Sequence, residues 1–290
     1  MREEYRKFLT EGERAGAGYS LGIPREAIQG TFGQQLGTAA GSSVDFKDYR
    51  EYQPGDDLRN IDWNVFARSD KLTVKLFREE VNPHLDLVLD CSKSMALPGT
   101  QKARATLGLA GLLVTAAANA RCSHCVWMNN HGYQRVPNSD ESPSAWDGLD
   151  LTRKENPAES FAVMPPRFRK NSIRILLSDL LWMENPTHTM KPLVNGAAAV
   201  LVVQILATED VNPSSLGNIR IVDVESGEPL EIFIDAVARK RYQETLAGHS
   251  GNWHDACRQT GARMATVTAE EVVDGWRISA LEELRILESI

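Results

Sequence analysis

The stretch LDLVLDCSKSMAL, residues 85–97, decides how the rest of the chain is read. It opens as a core strand and stops abruptly on an acid and alternating hydroxyls: Asp90, Ser92 and Ser94. In the turn that leaves a strand, residues at i, i+2 and i+4 can face one pocket while Cys91 and Lys93 turn away. Two readings follow. The hydroxyls cap free N–H groups ahead of the next helix, or they join the acid in an oxygen-rich cation site.

Working outward, a second strand, SIRILLSDLLW (172–182), ends on an acid in similar dress, Asp179. The apolar run AAAVLVVQILA (197–207), the segment HCVWMNN (124–130) and RMATVT (263–268) also read as strands. TQKARATLGLAGLLVTAAANA (100–120) has apolar residues at helical spacing, and residues 236–261 read as one helix or two short ones. Nearly continuous hydrophobic strands separated by helices predict an α/β fold, three-layered, with a mostly parallel open sheet. IRIVDVESGEPLEIFID (219–235) reads as a hairpin turning at SGEP, and ALEELRILESI (280–290) as a terminal helix. In such sheets ligands bind beyond the carboxyl ends of the strands. If the strands ending at Asp90 and Asp179 are neighbours, two carboxylates and two hydroxyls converge there. Hard oxygens without thiol or imidazole suit Mg²⁺ or Mn²⁺ rather than zinc.

Ahead of this region the texture differs. Residues 1–13 read as a charged helix, followed by a loop rich in Gly, Ala and Ser through GTAAGSS to about residue 43. Then comes YQPGDDLRNIDWNVFARSDKLTVKLFREE (52–80), with a tight turn at PGDD and an alternating strand at LTVKLF. Asp56, Asp57 and Asp62 are expected to pair with Arg50, Arg59 or Arg68, and Trp63 to pack on a core. The segment is then either an architectural clamp or a docking surface. The expected organisation is an N-terminal extension over 1–83, packed on a main domain over 84–290.

DCSKS (90–94) matches the DxSxS pattern of the metal-ion-dependent adhesion site in von Willebrand factor A domains, and residues 52–80 resemble bacterial family 58 of the domain-of-unknown-function series. Members of that family carry YxPGDDxRxIDW…AR…VKxFxEE ahead of an A-like domain. The resemblance implies a von Willebrand factor A-like fold in which Ser92 and Ser94 bind the metal directly. Asp90 and Asp179 would hold it partly through water, leaving one position open for a partner's carboxylate. It also implies a MoxR-type AAA+ ATPase as partner, acting with it on an unknown client protein. The adhesion site usually takes a threonine from a later loop. Here that region reads KENPAES (154–160), and Thr152 is the nearest substitute.

Composition bounds the remainder. The chain has 290 residues, 42% hydrophobic and 24% charged, as in an ordinary globular protein. Its formal charge of −7 argues against nucleic acid as partner. No apolar run reaches the roughly 18 residues of a membrane span, and the charged start has no signal-peptide core, so a cytoplasmic location is expected. The pair Cys122 and Cys125 has CxxC spacing but lacks a second pair, and is expected to be buried structure rather than a zinc or redox site. No GxxxxGK[ST] is present, and GHSGN (248–252) fails the nucleophile-elbow pattern. A non-enzymatic protein-binding module is therefore expected. The alternatives are a metal-dependent phosphohydrolase using the same carboxylates, or a scaffold whose metal site stays empty.

Overall fold

The computed structural model describes residues 2–23, 45–78, 83–213, 216–224, 227–276 and 278–290, the side chains of 45–48 and 76–78 excepted. The chain divides into two compact units, residues 28–82 and the remainder.

The larger unit begins with helix α1 (Glu3–Gly16) and the short strand β1 (Tyr19–Leu21). The smaller unit contains an antiparallel pair, β2 (Asp45–Glu51) with β3 (Thr73–Arg78), and between them helix α2 (Trp63–Ser69). In the larger unit there follow β4 (His84–Leu89), α3 (Lys102–Asn119), β5 (Ser123–Asn129) and β6 (Tyr133–Arg135). Next come α4 (Pro157–Val163), β7 (Ser172–Ser178), α5 (Pro186–Val194), β8 (Ala197–Leu206) and α6 (Thr208–Val211). The hairpin β9 (Gly217–Val222) and β10 (Pro229–Ile234) leads into α7 (Ala236–Gln259), β11 (Arg263–Thr268), α8 (Ala269–Val273), α9 (Ser279–Glu283) and β12 (Leu287–Ser289).

Six strands form the main sheet in the order β11-β8-β7-β4-β5-β6, all parallel except the edge strand β6. The chain lays down β5 and β6 on one side of β4, then crosses to β7 and builds outward on the other. The strand order therefore reverses between β4 and β7, and a crevice opens at the carboxyl ends of such a pair.

The period-two alternation of a strand explains how β4 serves two cores at once. Leu85, Leu87 and Leu89 face one cluster, shared with α1 and α3; Val88 faces the other, shared with α4, α5 and α7. The second cluster holds an edge-to-face indole pair, Trp182 with Trp253, at 5.2 Å between centroids. Helix α3 is apolar on nearly every side because the sheet covers one face and α1 the other. The α1–α3 crossing is close enough that a Cβ on Gly12 would collide with the Gly108 carbonyl, and one on Gly111 with the Leu9 carbonyl.

Two expectations change. Residues 2–23 belong to the larger unit rather than to an N-terminal extension: α1 packs on α3, and β1 pairs antiparallel with β12, while the smaller unit is 28–82. The terminal segment is a helix only over Ser279–Glu283. Arg285 adopts a left-handed φ of 52°, which breaks the helix, and Leu287–Ser289 pairs with β1. Residues 236–259 form one continuous helix, and the hairpin over 217–234 is present. Most of the loop expected through GTAAGSS lies outside the described residues.

Candidate functional site

Strands β4 and β7 are paired in register, Leu89 opposite Leu177, so the residues that follow them emerge side by side. Asp90 donates its N–H to the Leu177 carbonyl (3.0 Å), which continues the ladder by one bond. Its carboxylate is wholly buried. Oδ1 accepts the Ser92 N–H at 2.9 Å, and Oδ2 accepts the Ser178 hydroxyl at 2.6 Å. Both donors are neutral. Burial, and then the nearby Asp179 carboxylate, push the Asp90 carboxyl up to about 7.

The turn after Asp90 is held from two sides. The Cys91 N–H donates to Asn129 Oδ1 (2.6 Å), and Asn129 Nδ2 donates to the Glu155 carbonyl (2.8 Å). Lys93 N–H donates to the Arg153 carbonyl, and Arg153 N–H to that of Cys91, each at 3.0 Å. Cys91 turns into the core while the Lys93 ammonium donates to the Val224 carbonyl (3.3 Å). The Ser92 and Ser94 hydroxyl oxygens lie 3.0 Å apart. The Ser92 side chain makes no capping bond to the 3₁₀ turn Lys93–Ala96.

Asp179 is 2% exposed; its Oδ1 accepts the Leu181 N–H (3.1 Å), and its carbonyl accepts Gln204 Nε2 (3.1 Å). Its Oδ2 receives the ammonium of Lys102, the first residue of α3, at 2.6 Å. The same ammonium lies 3.2 Å from Asp210 Oδ2 and is itself 1% exposed. The two acids raise the Lys102 pKa although its burial opposes this. The following residue, Leu180, has φ 60°, and its carbonyl accepts a hydrogen bond from His249 Nε2 at 2.6 Å.

The structure therefore brings together Asp90, Ser92, Ser94 and Asp179. It does not bring Thr152 to them: that hydroxyl is exposed and donates to Asp150 Oδ2 at 2.6 Å. Lys102, Ser178, Asn129 and Asp210 belong to the cluster but were not singled out in the sequence. Lys102 left one signal, since a lysine at the first position of a helix opposes the helix dipole and needs a reason.

The oxygens present fit a small divalent cation in two respects. Neighbouring ligands about 2.1 Å from an octahedral Mg²⁺ stand about 3.0 Å apart, which is the Ser92–Ser94 spacing. Among the described residues the buried Asp90 carboxyl has no cationic partner of its own, so above pH 7 it adds uncompensated negative charge to the cluster. No three His, Cys, Asp or Glu side chains form a metal cage among the described residues, so the serine hydroxyls would have to supply ligands.

In the smaller unit the acidic motif is mostly local architecture. Asp56 pairs with Arg50 (2.7 Å) and accepts the Gln53 N–H, closing the turn at Gly55. Asp57 pairs with Arg59 (2.6 Å). Asp62 does not meet Arg68. It caps α2 by accepting the Asn64 and Val65 N–H groups (2.9 and 3.2 Å), and its other oxygen meets Lys75 and the Tyr49 hydroxyl, both at 3.1 Å. Lys75, chiefly, holds the Asp62 carboxyl down to about 2. Trp63 is 60% exposed rather than buried, its ring edge-to-face with Phe66 at 6.1 Å. The Cys122 and Cys125 thiols are buried and unpaired, and burial pushes them up to about 12 and about 11.

An α/β unit with an acid-and-hydroxyl cluster at the reversal point of its sheet, and the PGDD–IDW segment before it, define the class. The chain belongs to the family described as Protein of unknown function DUF58, whose model matches residues 48–252. Uncharacterised proteins of Mycobacterium tuberculosis and Mycobacterium bovis are each 25% identical over 256 residues, 82% of this chain and 78% of theirs. Among solved structures, the conserved hypothetical protein BatB from Bacteroides thetaiotaomicron is 11% identical with a TM-score of 0.34, covering 67% of this chain and 98% of that one. An aerotolerance-related membrane protein from Bacteroides fragilis is also 11% identical, with a TM-score of 0.35, over 64% of this chain and 91% of its own. Among the described residues no helix is long and apolar enough to cross a membrane.

Proposed function

We propose that the chain is a non-enzymatic protein-binding module, von Willebrand factor A-like in fold, that grips an acidic side chain of a partner at the carboxyl ends of β4 and β7. The observation that carries this is the convergence of Asp90, Ser92, Ser94 and Asp179 at the reversal point of the sheet, with the two hydroxyls 3.0 Å apart. A divalent cation held there by Ser92, Ser94, Asp90 and Asp179, Mg²⁺ or Mn²⁺, would supply a positive centre for a partner's carboxylate.

The protein's own residues do the positioning. Ser92 and Ser94 present the hydroxyls, Ser178 and the Ser92 amide fix the Asp90 carboxylate, and the Leu181 amide orients that of Asp179. Asn129 and Arg153 hold the backbone of the turn so that the hydroxyls do not need to be ordered on binding. A phosphohydrolase with Asp90 as nucleophile would need that carboxylate free to attack, whereas both its oxygens accept bonds from the protein and the group is wholly buried.

The family resemblance supplies the partner in this reading: a MoxR-type AAA+ ATPase in the cytoplasm, acting with the module on a client complex. The test is capture of a MoxR-type AAA+ ATPase of the same organism with and without EDTA, for the wild type and Ser92→Ala. Recovery that falls in EDTA and in the variant supports the proposal. Equal recovery in every lane, from folded proteins, removes it.

A further inference from the structure

Lys102 has no place in the site as the sequence presents it, yet its side chain enters the cluster through two ion pairs. Its ammonium is buried, 2.6 Å from Asp179 Oδ2 and 3.2 Å from Asp210 Oδ2. It stands at the first position of α3, where the helix dipole disfavours a cation. Burying it there is sustained by two carboxylates from two separate elements, Asp179 after β7 and Asp210 in α6. One of those carboxylates is the one that the cation site also requires.

We propose that Lys102 is a resident counter-cation that competes with the divalent cation for Asp179. This rests on the cation-dependent reading above and gives that site its regulation. With the ammonium on Oδ2 and the Leu181 amide on Oδ1, each oxygen of Asp179 already has a donor. A second cation beside the same carboxylate is repelled by the first, and the low dielectric of a buried cluster strengthens the repulsion. Metal loading therefore loosens the Lys102–Asp179 bond and leaves the ammonium with one carboxylate, Asp210, in place of two, so that the amine becomes easier to reach. The affinity of the site is set low by this competition, so that a carboxylate brought by the partner tips the balance toward the loaded state.

The experiment is Mn²⁺ calorimetry on the full chain, comparing the wild type with Lys102→Met and Lys93→Met. Lys93 lies between the two serines in sequence but directs its ammonium to the Val224 carbonyl, so its removal changes the net charge without freeing Asp179. Lys102→Met is expected to bind Mn²⁺ on the order of ten- to a hundredfold more tightly than the wild type, with Lys93→Met within about threefold of it. Equal affinity for the wild type and Lys102→Met overturns the proposal, as does an equal gain in Lys93→Met. No heat from any of the three proteins overturns the cation-dependent reading along with it. Should Lys102→Met fail to fold without metal, the wild type decides. Acetylation of the Lys102 amine, followed by mass spectrometry, is expected to rise several-fold when Mn²⁺ saturates the calorimetric signal. Unchanged labelling at saturation overturns the competition while leaving metal binding intact.

Discussion

The Ser178 hydroxyl donates to Asp90 Oδ2 at 2.6 Å across two neighbouring parallel strands, although 88 residues separate them in sequence. Each strand ends on its own acid, yet the last residue of β7 supports the acid of β4. That support holds a wholly buried carboxyl group in place beside a second acid. Its energetic consequence is testable, because an amide can take the place of the carboxylate. Asn at position 90 would still accept the Ser92 N–H, and its NH₂ would donate to the Ser178 oxygen. Above pH 7 in EDTA, Asp90→Asn is expected to melt a few degrees higher than the wild type, since a buried charge is removed. Capture of the partner should be lost in the same variant. A lower melting temperature would mean that the carboxylate itself stabilises the fold.

The α1–α3 crossing depends on glycine at the contact. Gly12→Ala places a methyl group against the Gly108 carbonyl, a backbone atom that cannot turn aside. The variant is expected to lose about 1–3 kcal/mol of stability, measured by urea unfolding. An unchanged midpoint would show that α1 can shift without cost.

The Asp62 carboxyl is held at about 2 in the folded chain, against an ordinary value of 3.8. A folded value below the unfolded one means that the stabilisation is fully present above pH 3.8 and is lost as the pH falls through about 2. Amide-exchange protection at Asn64 and Val65, whose N–H groups Asp62 accepts, should therefore drop across that window. Asp62→Asn should flatten the dependence. A midpoint near 4 in the wild type would contradict the Lys75 pairing.

The cysteines give a chemical check on the cores. Cys91, Cys122, Cys125 and Cys257 are buried, and burial raises every one of these thiols. The native protein should leave all four unreacted towards a thiol-specific disulfide reagent at pH 8, and all four should react in denaturant. Rapid labelling of Cys122 or Cys125 in the folded state would reopen the CxxC pair as a functional one.

The strands and the two acids were legible because a buried parallel strand is a run of apolar residues, and its end is marked when that run stops on a polar group. The neighbourhood of Asp90 and Asp179 was a guess about strand order that the pairing of β4 with β7 bears out. What stayed hidden was set by contacts distant in sequence. Lys102 looked like any charged residue near a helix start, since Asp179 and Asp210 lie far along the chain. Among the described residues none of the arginines expected for the three acids reaches Asp62; strand β3 delivers Lys75 instead. The last residues have a helical spacing of apolar groups, and only β1, at the other end of the chain, makes a strand of them. Thr152 was near in sequence to where a ligand was wanted, but its hydroxyl is taken by Asp150.

The edge-to-face pair Trp182–Trp253 lies in the second core cluster, and Trp182 follows Asp179 by three residues. Two indoles 5.2 Å apart couple their electronic transitions, so the protein carries a built-in optical sensor of the backbone between them. The Asp179 carboxylate accepts the Leu181 amide, one residue before the first indole. Near-ultraviolet circular dichroism is therefore expected to report a rearrangement of that turn in unlabelled protein, with no dye and no mutation.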